Sequence, residues 1–269
     1  MRRSETMSKR ILSRSLFRPA QGVDQSILAE NNPLIRSLER RLFLRQGLSL
    51  GALTLLTGCD ISNKDSVQFV LKGFSSWNDR VQAWLFDPTK LAPTFSEAQV
   101  LKPPRFNAFY SIDEVKPIDA ASWKLEVGGL VKDKRPWTLD RIDALPKVSQ
   151  ITRHVCVEGW DYIGKWSGVS LRRFLEIIEA DLSAKYVAFE CADDYSGSID
   201  MASALHPQTQ LTTHYADEPI GNPYGFPLRL RVATKLGFKM PKWITSIEVT
   251  NEYPGGYWED RDYNWFSGI

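Results

Sequence analysis

The chain has three cysteines and three histidines, so side chains able to hold a soft metal or move a proton near neutral pH are few, and only His154 and Cys156 lie close together. Cys156 lies in the block Arg153-His154-Val155-Cys156-Val157-Glu158-Gly159-Trp160. A deprotonated thiol is a nucleophile and a soft metal ligand. Taken alone, a single Cys reads first as an inert buried residue. His154 precedes Cys156 by two positions, which on an extended chain puts both side chains on one face. There it serves equally as a proton relay or as a packing group. Arg153 offers one positive charge beside the thiol. His206 precedes Pro207 and reads as a turn residue, and His214 has no motif around it. Three scattered histidines do not make a zinc site. No haem-attachment motif, Cys cluster or Gly-x-Gly-x-x-Gly occurs, so electrons for a redox reaction come from, or go to, a partner.

The elements that would position these groups are short. Residues 67–87 have Phe74, Trp77, Val81, Trp84 and Leu85 near one helical face, and Pro88, Pro93 and Pro103-Pro104 end that helix. Residues 123–131 alternate as Trp123, Leu125 and Val127 and then meet Gly128-Gly129, which predicts a strand pair with its turn there. Thr138 is placed to cap a helix over 139–145, stopped by Pro146. A strand over 150–157 delivers Cys156 at its end. Ser170 caps a helix over 171–180, and further strands fall at 186–191, 228–232 and 243–249. Short strands mixed with few helices, without regular β-α-β alternation, predict an α+β fold on a mixed β-sheet.

Charge and composition divide the chain. Residues 1–59 hold ten Lys or Arg against four Asp or Glu, a balance of +6; the other 24 basic and 28 acidic residues leave −4. A mildly acidic body without a basic tract excludes nucleic acid as the main partner. Glu39-Arg40-Arg41-Leu42-Phe43-Leu44-Arg45 resembles a twin-arginine export signal. The apolar stretch from Gly47 to Thr57 is too short to span a bilayer. Leu56-Thr57-Gly58-Cys59 resembles a lipobox, whose Cys59 would be acylated, and Asp60 resembles a signal for retention at the inner membrane. The alternative is a buried amphipathic helix with a chance Arg pair. Export of a folded protein implies a cofactor loaded in the cytoplasm, and periplasmic localisation. The organisation expected is a leader over 1–59, an approach segment over 60–105, a main domain over 106–252 and an aromatic, charged tail over 253–269. That tail suits a rim over a pocket, a docking patch for a membrane redox protein or a packed arm.

The Cys156 block, followed by Trp166-Ser167-Gly168-Val169-Ser170-Leu171, is similar to the molybdopterin-binding domain of the sulfite-oxidase superfamily. Members carry Cys-Val-Glu-(Gly/Ala)-Trp and Trp-x-Gly-x-x-Leu at this spacing. The likeness runs from about residue 106 to 249 and is greatest to the branch of periplasmic methionine-sulfoxide reductase catalytic subunits. It implies a molybdenum-molybdopterin cofactor with Cys156 as the catalytic thiolate ligand. It implies that Asn107, Tyr110 and Ser111, in Phe106-Asn107-Ala108-Phe109-Tyr110-Ser111, flank the pterin. It also implies that Arg229, and Lys242 with its neighbours Met240 and Pro241, bind the cofactor. Arg231 shares a strand face with Arg229, so either could reach the phosphate. Two positions depart from that branch. Cys191 replaces a cofactor-contacting Thr, as a buried structural Cys or a second thiol near the metal. Tyr224 replaces an Asn and keeps a hydroxyl to offer.

The activity implied is oxygen-atom transfer on a small sulfur- or nitrogen-oxide, foremost reduction of sulfoxides including methionine sulfoxide, with a haem- or quinone-linked membrane partner. Sulfite oxidation is the alternative. A sulfite dianion wants several arginines, and the Gly-Asn-Arg-Arg segment of true sulfite oxidases is replaced here by Glu158-Gly159-Trp160-Asp161-Tyr162. A non-catalytic lipoprotein binding module is the remaining alternative.

Overall fold

The structure, a computed structural model, describes residues 65–269. The export signal and Cys59 lie outside the described residues. Helix α1 (Asp65–Leu85) is followed by an extended, proline-rich passage into β1 (Glu126–Gly129), α2 (Leu139–Asp143), β2 (Val148–Val155), β3 (Asp161–Ser170) and α3 (Leu171–Ile177). Then come β4 (Tyr186–Cys191), β5 (Ser196–Asp200), α4 (Met201–Ala204), β6 (Thr209–Tyr215), β7 (Glu218–Pro219), β8 (Arg229–Val232) and β9 (Ile244–Thr250).

The strands form two sheets rather than one. The first has the order β1-β9-β4-β5 and the second β2-β3-β6-β7, with β8 paired to β6. The first is mixed, because β1 runs parallel to β9 while β9, β4 and β5 are antiparallel. Gly128-Gly129 is therefore no hairpin turn. Both residues pair in register with Glu248 and Val249, some 120 positions on. Thr138 caps α2 as its sequence suggests, its hydroxyl accepting from the Arg141 N–H. Ser170 precedes α3 without such a bond. The apolar faces of both sheets meet α3 in one core: Val127, Val187, Phe189, Ile247 and Val249 from the first, Val169, Leu211, Leu230 and Val232 from the second, and Leu171, Phe174 and Leu175 from the helix. Burying each such side chain contributes about 1.5–3 kcal/mol.

A smaller cluster of Tyr162, Trp166, Tyr215 and Ile220 lies against Trp160 and Tyr224. Gly168 sits at the bulge where β3 pairs with β6, and a Cβ there would come 2.0 Å from the Leu211 carbonyl oxygen. The glycine of the Trp-x-Gly block thus lets β3 approach β6.

Candidate functional site

Strand β2 ends at Val155, and the chain turns at once. The Cys156 N–H donates to the Trp160 carbonyl (2.9 Å) and the Gly159 N–H to the Cys156 carbonyl (3.2 Å). This turn presents a buried thiol to a pocket. The pocket wall is built from five separate stretches: Asn107 to Phe109, Cys156 to Glu158, Asp193 with Tyr195, Gly237 to Trp243, and Trp258. Burial pushes the Cys156 thiol up from its ordinary value, and the Glu158 carboxylate adds to that, against backbone donors of Glu158 and Val157. A neutral thiol held this way sheds its proton on binding a metal.

Behind the thiol lies a group of buried cations. Arg229 and Arg231 alternate along β8 onto one face and stand over the Trp166 ring, 4.9 and 5.4 Å from its centre. Arg229 Nη1 donates to the Tyr224 carbonyl (2.8 Å). Arg231 donates to the Arg153 carbonyl (2.6 Å), Thr152 Oγ1 (3.0 Å) and Met240 Sδ (2.9 Å). Lys242 Nζ reaches only the Pro223 carbonyl, at 3.5 Å, and lies over the Phe106 and Trp243 rings. None of the three has a carboxylate partner among the described residues. Arg229 Nε and Nη2 and Arg231 Nε are buried without any hydrogen bond. Burial, then repulsion from Arg229, depresses Lys242 to about 6, and burial takes Arg231 down to about 9. His154, wholly buried beside them, is held well below its ordinary value by burial and by the three cations.

Unpaired charges in an apolar interior cost several kcal/mol each. An anion entering here would supply the partners the protein leaves out. The donor set, one buried thiol beside three unneutralised cations, fits a metal cofactor that carries a phosphate.

The loop from Gly237 to Trp243 joins thiol and cations. Gly237 packs directly on His154, with no room for a Cβ, which would come 2.7 Å from Nε2. Trp243 adopts φ 60°, a left-handed conformation that is costly for a bulky residue. The indole Nε1, which donates to the Asn222 carbonyl at 2.7 Å, holds it there. Across the pocket the Tyr110 hydroxyl donates to Asp193 Oδ2 (2.9 Å), and the ring stacks on Trp243. Burial and Asp193 raise the Tyr110 phenol.

The structure therefore brings Asn107, Cys156, Met240, Pro241 and Lys242 to one wall, with Arg229 and Arg231 behind it and Tyr110 beside it. Tyr224 contributes its carbonyl to Arg229. Ser111 and Arg153 stand apart, while Cys191 lies against the Lys242 backbone. Ser111 caps the short 3-10 turn Ile112–Glu114, exposed and outside the pocket lining. Cys191 ends β4 as a buried free thiol of the core, its N–H bonded to the Tyr195 carbonyl. Burial raises its thiol far above the ordinary value. Arg153 points to the opposite side of β2 from His154, half exposed, 3.5 Å from Asp161 and over the Phe95 ring. Sequence reasoning missed Asp193 and Tyr195. Asp193-Asp194 was visible only as a strand boundary, and Trp258 belongs to the tail, which forms part of the pocket rim.

A family described as the oxidoreductase molybdopterin-binding domain matches residues 112–258. The chain is 58% identical to the "Putative protein-methionine-sulfoxide reductase subunit YedZ1" of Azospira oryzae, over 85% of this chain and 87% of that one. It is 31% identical to the protein-methionine-sulfoxide reductase catalytic subunit MsrP of Xanthomonas axonopodis pv. citri, over 61% of this chain and 59% of the relative. It is 34% identical to the mitochondrial sulfite oxidase of Drosophila melanogaster, over 57% of this chain and 31% of that enzyme. Among solved structures, the sulfane dehydrogenase SoxCD of Paracoccus pantotrophus superposes with a TM-score of 0.48 at 17% identity, over 51% of this chain and 40% of that one. A family match over more than half the chain, coinciding with a thiol and a cation group suited to such a cofactor, identifies this α+β protein as a molybdopterin-dependent oxidoreductase: it belongs to the oxidoreductase molybdopterin-binding domain family.

Proposed function

We propose that the enzyme reduces sulfoxides, methionine sulfoxide among them, at the pocket in front of Cys156. The observation that carries this reading is the pocket's character. Its lining includes Phe109, Tyr195, Phe238, Trp243 and Trp258, two carboxylates (Glu158 and Asp193), one lysine and no arginine. A sulfite dianion would face two negative charges with a single cation to meet it. A neutral sulfoxide carries apolar groups that suit aromatic walls. The names of the relatives from Azospira and Xanthomonas support the same substrate class.

The reaction takes one sulfoxide, two electrons and two protons to a thioether and water. The bound molybdenum cofactor supplies the oxygen-accepting, two-electron chemistry. In this reading Cys156 ligates the metal as a thiolate, and Arg229, Arg231 and Lys242 hold the cofactor's phosphate. Asn107 and the Tyr110–Asp193 pair orient what enters the pocket. Electrons arrive one at a time from a haem- or quinone-linked membrane partner, which suits a chain without a second redox centre motif. In this reading the stretch resembling a twin-arginine signal would send the enzyme to the periplasm, with Cys59 as its anchor to the inner membrane.

Protein purified from a cofactor-competent host tests the proposal. About one molybdenum per chain, turnover of methionine sulfoxide with a reduced dye, and loss of both in Cys156→Ser are the expected results. The activity loss should exceed the roughly 10–100-fold typical of residues that act only through a ligand. Turnover of sulfite with none of sulfoxide would overturn the substrate assignment.

A further inference from the structure

Helix α1 is inverted. Its polar side chains Lys72, Ser75, Asp79 and Gln82 recur at spacings of three, four and three, which is one helical face. That face meets the C-terminal arm. Lys72 pairs with Asp262 at 2.9 Å, Ser75 bonds to Asn264, Asp79 accepts from the Phe266 and Ser267 N–H groups (2.8 and 3.4 Å), and Gln82 accepts from the Gly268 N–H (3.3 Å). The opposite stripe, Val70, Phe74, Trp77 and Trp84, is apolar and points away from the body, with Val81 half-buried among them. Phe74 is 67% exposed, Trp77 61% and Trp84 81%, with Leu85 and Phe69 exposed on its flanks. A helix on a globular protein ordinarily turns its apolar stripe inward. A patch of this kind marks an interaction surface.

We infer that α1 is a membrane-surface helix, which lays Phe74, Trp77 and Trp84 into the headgroup region of a bilayer while its polar face carries the enzyme. Composition favours a lipid surface over a second protein, since two Trp and a Phe on one stripe are the residues that settle at the water–lipid boundary. Tethering favours it too. Asp65 begins α1 six residues after Cys59, so an acylated Cys59 would hold the helix within about 20 Å of the membrane. Among the described residues no helix is long and apolar enough to cross a membrane, so α1 lies on the surface. The inference extends the membrane location proposed above and rests on it only for the tether.

The nine tryptophans all lie beyond the leader, which makes their emission a direct probe in the full-length enzyme. Vesicles of phosphatidylethanolamine and phosphatidylglycerol with brominated acyl chains should quench the wild-type protein. In Trp77→Phe/Trp84→Phe, which preserves an apolar face and the fold, most of that quenching should vanish. Trp77→Glu/Trp84→Glu should partition onto vesicles about tenfold more weakly or worse, with dye-linked turnover unchanged. A Cys59→Ser chain should still be quenched, which separates failure of the anchor from failure of the helix. Equal quenching of wild type and the Phe variant, or none in either, overturns the inference. So does a vesicle-free dimer that the Glu variant dissociates, which would assign the face to a second copy.

Discussion

Lys239 and Lys242 lie three residues apart in one loop, both buried, and their surroundings are opposite. Lys239 is ion-paired to Glu259 from the C-terminal arm, with the two side chains 1% and 2% exposed. Lys235, a little upstream, likewise meets Asp200 at 3.3 Å and lies on the Phe266 ring. Lys242 meets a single carbonyl at the limit of hydrogen-bonding distance and two aromatic rings. The first two lysines are neutralised by the chain itself and hold the tail to the body. The third, with Arg229 and Arg231, is left without a counter-charge. Where a fold supplies counter-ions for some buried cations and withholds them from others nearby, the withheld ones point to a ligand anion.

The sharpest way to break this comparison is to remove one ionisable group on each side of it. Glu259→Gln strands Lys239 as an unpaired buried charge and should cost about 3–5 kcal/mol in denaturant unfolding. It should also loosen the Trp258 side of the pocket. Lys242→Met removes a buried amine that has no carboxylate partner among the described residues. The cofactor-free protein should then unfold at equal or higher denaturant, by up to about 2 kcal/mol, while molybdenum and pterin content after expression should fall about tenfold or more. If Lys242→Met destabilised the cofactor-free protein as Glu259→Gln does, Lys242 would be structural and the contrast would fail.

Acidity gives a finer version. Lys242 titrates near 6 when folded, below its ordinary value of 10.5, chiefly through burial. Between those values the unfolded chain binds the extra proton, so stability of the cofactor-free protein rises with pH across that window. It falls off as pH drops toward 6, where the folded lysine must also charge. The slope contributed is at most about 1.4 kcal/mol per pH unit. Lys242→Met should abolish it, and cofactor loading should flatten it, because a bound phosphate restores the charged lysine. An unchanged slope in the variant would assign the pH dependence to Lys235, which burial holds near 7.

What was legible in the sequence is what local chemistry dictates. The turn bearing Cys156 follows directly from the end of β2, and Arg229 and Arg231 share a face because β8 is extended, so short-range periodicity sufficed. Strand β6 gave no periodicity signal because its buried positions include Thr209, Gln210, Thr212 and Thr213, which are not apolar. Gly128-Gly129 misled because a parallel partner 120 residues away gives no local cue. The aromatic stripe of α1 was legible as a stripe, yet its outward orientation depends on the arm at residues 262–268 that takes the polar face. Asp193 and Trp258 reach the pocket through the β4–β5 turn and that same arm, which no spacing rule connects to Cys156.

The smallest expected effect tests the substrate side of the comparison. Arg153 was the one charge near Cys156 that a sulfite site could have used, and alternation along β2 turns it to the face opposite His154. Its partner Asp161 and its own side chain are each about half exposed, so the pair is worth under about 0.5 kcal/mol. Arg153→Ala should therefore leave unfolding within that margin. Only its backbone carbonyl, which accepts from Arg231, matters to the cation group, and the substitution keeps that carbonyl. For a neutral sulfoxide, kcat/KM should change less than about twofold. A large rise in KM confined to anionic substrates would mean that Arg153 swings toward the pocket in turnover. The arginine-free lining on which the sulfoxide assignment stands would then describe only the resting enzyme.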